Sequence, residues 1–293
     1  MRVVVTGAGG FVGRALCRAI GPTHEVIGID RSLNGVPGIE GDFDDPDVIA
    51  RALAGGCDAV VHLATLGGGA AEQDPAAAFA VNVAASVRLA QAASAGARFV
   101  FASSIAVFGD PLPPAVDDAT PLAPRMLYGA HKAMVETWLD TLTRRGDLAT
   151  LSLRLPGIVA RPRGPSGMKS AFMSDLFHAL SNGEAIDLPV SAQATMWLMS
   201  VDRIAANLAH ALAIDATGAV TLPALRVTMG DLVATVSAAT GQDAALARYT
   251  PDPAIEAGFG RQPPLATPRA QMLGFAADPD LDALVRSALA RCE

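Results

Sequence analysis

A tyrosine and a lysine stand four residues apart, as Tyr128-Gly-Ala-His-Lys132, in a chain with only one more of each, Tyr249 and Lys169. On a helix that spacing puts both side chains on one face. A compact ammonium beside a phenol lowers the phenol's pKa and can hydrogen-bond a neighbouring ribose, a task that suits the broad guanidinium fork poorly. The pair points to proton transfer to or from a hydroxyl. A second chemistry-bearing set opens the chain, Thr6-Gly-Ala-Gly-Gly-Phe-Val-Gly13. Gly7, Gly10 and Gly13 are spaced for a tight turn, a backbone approach to pyrophosphate and close packing of a helix on a sheet. The helix start at Phe11 and Val12 offers free N–H groups and partial positive charge to phosphates. Asp30 follows about 20 residues on and is placed to accept from an adenosine ribose. A 2′-phosphate would meet that carboxylate, so NAD is expected over NADP, with Arg31 as the opposing feature. Asp42, beside Phe43, is a further carboxylate for the adenine amino group. Asp44 and Asp45 read as a solvated, helix-capping turn.

These residues need a frame to hold them. Arg2–Thr6, Glu25–Asp30, Asp58–Leu63, Ala97–Ala102 and Thr150–Leu155 read as buried strands. Helical patterns at Phe11–Ile20, Pro46–Ala54, Pro75–Ala95 and Arg125–Arg144 lie between them. Continuous apolar strands alternating with helices imply an α/β protein, a doubly wound parallel sheet covered on both faces. The pattern breaks after Leu155. Residues 161–167 read as a loop, and helices are expected over Ser170–Asn182, Asp202–Ala213 and Met229–Thr240. Strand candidates lie near Met196–Ser200 and Ala219–Leu222. Pro251–Pro268 reads mostly as loop, and Asp280–Arg291 as a final helix. The expected division is a nucleotide-binding domain over residues 1–155 and a smaller C-terminal α/β substrate-binding region over 156–293.

The bulk properties narrow the class. A chain of 293 residues that is 51% hydrophobic and 17% charged buries a large core and is not disordered. A net charge of -7 argues against nucleic acid and anionic membrane as partners. Cys17, Cys57 and Cys292 share no close spacing, which suits a reducing cytoplasm and neither a disulfide framework nor a zinc site. The apolar run after Arg2 is too short for a signal peptide, and no stretch approaches a membrane span, so a soluble cytoplasmic protein is expected. The acidic residues show no metal-ligand spacing, and no metal is expected.

Together, Thr6-Gly-x-x-Gly-Phe-x-Gly13, His62-Leu-Ala64, Ser103-Ser104 and Tyr128-x-x-x-Lys132 resemble the extended short-chain dehydrogenase/reductase superfamily, the epimerase/dehydratase branch, along the whole chain in order. The resemblance implies a Rossmann-type fold and NAD as cofactor. It makes Tyr128 the catalytic acid/base, has Lys132 hold the nicotinamide ribose, and places a serine at the end of the fourth strand on the reacting oxygen. Bringing a phenol from about 10 to ~7 needs ~4 kcal/mol of preferential phenolate stabilisation. Ser103 and Ser104 point to opposite sides of a strand, and similarity to the family's pattern favours Ser104. The resemblance also implies cofactor contacts at Leu63, Ala64, Asn82, Pro156 and Ile158, and a homodimer packed through the two long helices. His62 and His131 read as packing residues, and Asp202 as a helix N-terminal residue.

Within the superfamily, Leu153-Arg-Leu-Pro-Gly-Ile-Val-Ala-Arg-Pro162, Pro189-Val-Ser191, Met196-Trp-Leu-Met-Ser200 and Asn207-Leu-x-His-Ala211 resemble D-erythronate dehydrogenases. Those enzymes oxidise a four-carbon sugar acid at C2 with NAD. Thr195 departs from that branch, where an arginine is expected. A sugar acid needs a cation for its carboxylate and hydrogen-bonding groups for its hydroxyls. Arg161 and Arg163 are the candidate cations. Thr65 and Ser191 are candidate polar contacts, Trp197 an apolar wall, and Lys169 a solvated residue. A nucleotide-sugar epimerase, a uronate dehydrogenase and an NAD-binding regulatory protein are the alternatives.

Overall fold

The computed structural model describes residues 1–109, 111–164 and 169–292. The part of the expected 161–167 loop from Pro165 to Gly167 lies outside the described residues. In chain order come β1 (Arg2–Thr6), α1 (Phe11–Ile20), β2 (Glu25–Asp30), β3 (Gly38–Glu40), α2 (Pro46–Leu53), β4 (Ala59–His62), α3 (Gly68–Gln73) and α4 (Pro75–Phe79). A π-helical segment (Ala80–Ala85) joins α4 to α5 (Ser86–Ala92). Next are β5 (Arg98–Ser104), a 3₁₀ turn (Ile105–Phe108), α6 (Leu127–Arg145), β6 (Ala149–Leu155) and β7 (Gly157–Val159). Then follow α7 (Phe172–Ser181), β8 (Ile186–Leu188), β9 (Thr195–Ser200), α8 (Val201–Ala213), β10 (Gly218–Thr221), β11 (Leu225–Thr228) and α9 (Met229–Thr240). The chain ends with β12 (Ala247–Tyr249), α10 (Pro253–Phe259), α11 (Pro268–Met272) and α12 (Leu281–Leu289). No helix among the described residues is long and apolar enough to cross a membrane.

Seven strands form one parallel sheet in the order β10-β6-β5-β4-β1-β2-β3. The expected α/β, Rossmann-type architecture is therefore present. Val3, Val4, Val5, Val60, Val61, Phe99, Val100 and Leu151 are fully buried, which is why the strands read as unbroken apolar runs. One core face packs Ile49, Leu89, Val135 and Leu139 from α2, α5 and α6 against Val4, Val60, Phe99 and Phe101. Strand order reverses between β1 and β4, and the loops at their carboxyl ends flank the crevice where open α/β sheets take ligands.

The two compact units are not the contiguous halves 1–155 and 156–293. The first comprises Met1–Val107, Pro124–Leu155 and Ile204–Thr221; the second comprises Phe108–Ala123, Pro156–Arg203 and Leu222–Glu293. The physical reason is β10, which pairs with β6 as the seventh parallel strand and carries α8 back into the first unit. The second unit has a three-stranded sheet, β11-β9-β7, and a two-stranded one, β12-β8. Its core joins Leu176 and Phe177 of α7, Met196 and Leu198 of β9, Leu232 and Val236 of α9, and Leu284 and Val285 of α12.

Two details are added to the expected local structure. The single helix expected over Pro75–Ala95 runs from Pro75 to Ala92 and contains a π-helical segment at Ala80–Ala85, around the buried Asn82. The stretch expected to be mostly loop is so, and it also holds the short α10, with Pro253 at its start and the Asp252 carboxylate capping Ala254 N and Ile255 N.

Candidate active site

The glycine-rich turn takes its shape from close backbone approaches. Gly7 has φ +70°, and a Cβ there would lie 2.9 Å from Ala64 N. At Gly13 a Cβ would come 2.0 Å from Gly7 O, so any side chain would push α1 off the turn. Gly10 is the N-cap of α1 and provides no side-chain cap. The first-turn N–H groups at Phe11, Val12 and Gly13 therefore have no partner within the helix, and with the helix's positive end they would suit a phosphate. This uncapped start beside glycine backbone fits a dinucleotide's pyrophosphate. Asp30 accepts from Gly9 N (3.0 Å) and Ser32 N (3.3 Å), so its carboxylate also holds the loop that would carry the ribose. Arg31 and Asp42 are exposed. The Phe43 side chain is a core residue whose ring packs 5.1 Å from that of His62, which leaves only its backbone for an adenine.

A buried relay that was not apparent in the sequence ties the switch point together. Thr6 Oγ1 accepts from Leu63 N and Ala64 N (both 3.2 Å) and lies 2.6 Å from His62 Nδ1. His62 Nε2 lies 2.8 Å from Ser86 Oγ, and that hydroxyl donates to Asn82 O (2.8 Å). Since Ser86 gives its proton to Asn82, His62 must donate through Nε2 and accept from Thr6 at Nδ1. A neutral imidazole is required, and burial, aided by the Lys132 charge, pushes His62 down to about 3. The relay fixes the ends of β1 and β4 to the π segment. Asn82 in turn accepts from Leu66 N (2.7 Å) and Thr65 Oγ1 (3.0 Å) through Oδ1, and donates to Leu66 O (3.0 Å). With its amide bonded to that loop and the residue 3% exposed, Asn82 holds the Thr65–Leu66 loop in place. Thr65 itself is exposed.

The first turns of α6 bring Tyr128 and Lys132 to one face. Lys132 Nζ lies 5.5 Å from the Tyr128 ring centroid and 4.6 Å from that of Phe101, and donates to Ala102 O (2.7 Å). The ammonium is buried, and desolvation lowers it to about 7 against the opposing charge of Glu136. Ser104, at the end of β5, accepts from Ala106 N (3.1 Å), which leaves its hydroxyl proton to donate elsewhere. Ser103 points the other way and donates to Glu136 Oε1 (2.5 Å). Gly129, which has no role in the spacing of the pair, matters here. A Cβ at Gly129 would lie 2.3 Å from Ala106 O, so glycine lets the start of α6 close onto the Ser104 turn. His131 is buried against Phe79, with burial pushing its imidazole down.

The remaining expected residues lie in the second unit. Pro156 is buried and Ile158 half-buried. Arg161 O accepts from His178 Nε2 (2.8 Å), and the Arg163 guanidinium pairs with exposed Glu184 (2.6 Å). Ser191 N and Oγ both bond to Glu256 (2.9 and 2.8 Å). Trp197 does not form a ligand wall. It is 1% exposed in the core, with Nε1 donating to Pro263 O (2.8 Å).

Comparison with known proteins agrees with this geometry. The sequence profile of the NAD dependent epimerase/dehydratase family matches residues 3–220. A D-erythronate dehydrogenase from Cupriavidus necator is 32% identical over 98% of this chain and 97% of its own length. One from Haemophilus influenzae is 29% identical over 83% of each chain. The structure of a nucleoside-diphosphate-sugar epimerase from Agrobacterium tumefaciens aligns with a TM-score of 0.89 at 27% identity, covering 99% of this chain and 94% of that one. With the profile running from β1 into β10 and a relative at 32% identity along nearly the whole length, the chain belongs to the NAD dependent epimerase/dehydratase family.

Proposed function

We propose that the protein is an NAD-dependent dehydrogenase that oxidises a secondary hydroxyl of a small sugar acid, D-erythronate or a close analogue, at C2 to the 2-oxo acid. The observation that carries the substrate class is the near full-length similarity to proteins named D-erythronate dehydrogenase. The chemistry is supported by Tyr128 and Lys132 sharing one face of α6, with Gly129 allowing that helix to close on Ser104. Ser104 donates to the reacting oxygen and orients it. Tyr128 removes the hydroxyl proton as general base. The Lys132 ammonium, held by Ala102 O, lies beside the phenol, favours its ionised form and holds the nicotinamide ribose. Bound NAD supplies the hydride acceptor. Arg161 and Arg163 are the cations for the carboxylate. The Arg163–Glu184 pair is exposed and solvent-screened, so a substrate carboxylate can compete for it.

A nucleotide-sugar epimerase is the second reading, favoured by the 0.89 TM-score to such an enzyme. An epimerase regenerates its cofactor in each cycle, whereas a dehydrogenase accumulates NADH. The test is absorbance at ~340 nm, the reduced-nicotinamide band, with NAD and a panel of four- to six-carbon sugar acids that includes uronates. Net NADH from D-erythronate is expected. No NADH from any acid would reject the proposal, and NADH from a uronate alone would move it to a uronate dehydrogenase.

A further inference from the structure

Behind Lys132, on the side of α6 that packs against the sheet, lies a buried charged cluster that the mechanism above does not use. Ser103 on β5 and Arg154 on β6 are register partners, so their side chains leave the same face of the sheet. Glu136, one helical turn after Lys132, meets both. Ser103 Oγ donates to Oε1 (2.5 Å), Arg154 Nε donates to Oε1 and Oε2 (3.1 and 3.3 Å), and Arg154 Nη2 donates to Oε2 (2.8 Å). The side chains of Arg154 and Glu136 are only 11% and 5% exposed. A buried ion pair adds little net stability over apolar packing, so packing alone gives no reason for one here.

The cluster reaches Lys132 along two routes. One is covalent. The carbonyl that receives the Lys132 ammonium belongs to Ala102, in the peptide whose nitrogen is that of Ser103, and the Ser103 side chain is tied to Glu136. The other is electrostatic. The titratable groups around Lys132 are Tyr128, His131 and Glu136 from α6, His62 from β4 and Arg154 from β6; β5 contributes the neutral Phe101 and Ser103. His62 is neutral and Arg154 is a cation, so Glu136 supplies the negative charge that opposes the desolvation of the Lys132 ammonium.

We infer that Glu136, oriented by Ser103 and Arg154, is a positioning residue that keeps Lys132 protonated and seated on the Ala102 carbonyl. Its catalytic consequence rests on the dehydrogenase reading, but its effect on Lys132 needs neither substrate nor turnover. The two lysines make it directly measurable. Protein carrying 13C-lysine gives two Cε resonances, and Lys169→Arg identifies that of Lys132. In the intact, cofactor-free protein, Glu136→Gln is expected to lower the Lys132 titration midpoint by about one pH unit or more, a roughly tenfold loss of ammonium at pH values above it. Glu136→Asp, which keeps the charge but withdraws it, is expected to fall between the two. NADH affinity, read by nicotinamide fluorescence against pH, is expected to decline at a correspondingly lower pH in Glu136→Gln. A purely structural Glu136 would change thermal stability and move neither curve. A folded Glu136→Gln with a wild-type midpoint overturns the inference. If that variant does not fold, a wild-type midpoint in Glu136→Asp overturns it. Failure of the sugar-acid panel would instead reject the dehydrogenase reading and leave the lysine titration standing.

Discussion

Substituting Gly129 with alanine separates the stability of α6 from its placement. A Cβ at this position would lie 2.3 Å from Ala106 O and 3.0 Å from Pro124 Cβ, whereas ordinary contact begins at 3.4 Å. The start of the helix must therefore retreat by about 1 Å, a displacement from the Ser104 turn that a positioned catalytic group does not tolerate. Two effects on stability oppose each other. Alanine gains up to about 1 kcal/mol over glycine in a helix. Overpacking against a backbone carbonyl costs roughly 1–3 kcal/mol. The net loss is about 0–2 kcal/mol, a few degrees or less in Tm for a chain of this size. Turnover is affected more strongly, because a misplacement of ~1 Å costs on the order of 100-fold in rate. Gly129→Ala is therefore expected to lose about 100-fold in kcat while it stays folded and retains NADH binding, whose glycine turn is untouched. The assay is the initial rate of NADH formation at saturating NAD, paired with calorimetry and NADH fluorescence. A folded variant with kcat near that of wild type would refute the close approach as the device that sets Tyr128 against Ser104.

Two further outcomes follow from the cofactor and relay geometry. The ratio of kcat/KM for NAD over NADP is expected to favour NAD, and Asp30→Ser is expected to collapse it chiefly through NAD, because the carboxylate also holds Gly9 N and Ser32 N; a wild-type preference for NADP would contradict the assignment. His62, neutral and lowered from 6.5 to about 3 by burial, contributes stability that is complete above pH 6.5. That contribution is lost as pH falls from 6.5 toward 3, because the unfolded chain binds the proton first. The loss reaches about 1.4 kcal/mol near pH 5.5, so wild type should lose about that much more than His62→Gln between about pH 7.5 and 5.5 in denaturant titrations. Identical pH dependence in the two proteins would exclude the neutral relay.

The centre of the parallel sheet was legible because strands such as Arg2–Thr6 and Ala59–His62 are buried along nearly their whole length and read as continuous apolar runs. The tyrosine–lysine pair and the glycine turn were legible because their chemistry depends on local spacing. What stayed hidden depends on distant partners. Nothing local in Gly218–Thr221 says that it joins β6 and returns residues 204–221 to the first unit. Ser103, Glu136 and Arg154 converge only once strand register and helix placement are known. At Trp197 the residue type alone does not choose between a ligand wall and core, since tryptophan serves both roles. Burial and the indole bond to Pro263 O make it core. Gly129 did leave a signal, since a glycine inside a helical motif carries a cost that a close approach explains. The π segment followed no periodicity that the Ala-rich run could display; within it Asn82 bonds to the Thr65–Leu66 loop.

The proposed role of Tyr128 as the base of an NAD-linked oxidation of a small sugar acid is tested by comparing Tyr128→Phe with wild type, measuring NADH formation from D-erythronate and NADH binding on the same preparations. Wild type is expected to accumulate NADH, and the variant to bind NADH normally yet form it at least about 1,000-fold more slowly, within the range seen when an acid–base group is removed. Near-normal turnover in a folded Tyr128→Phe protein would contradict that role.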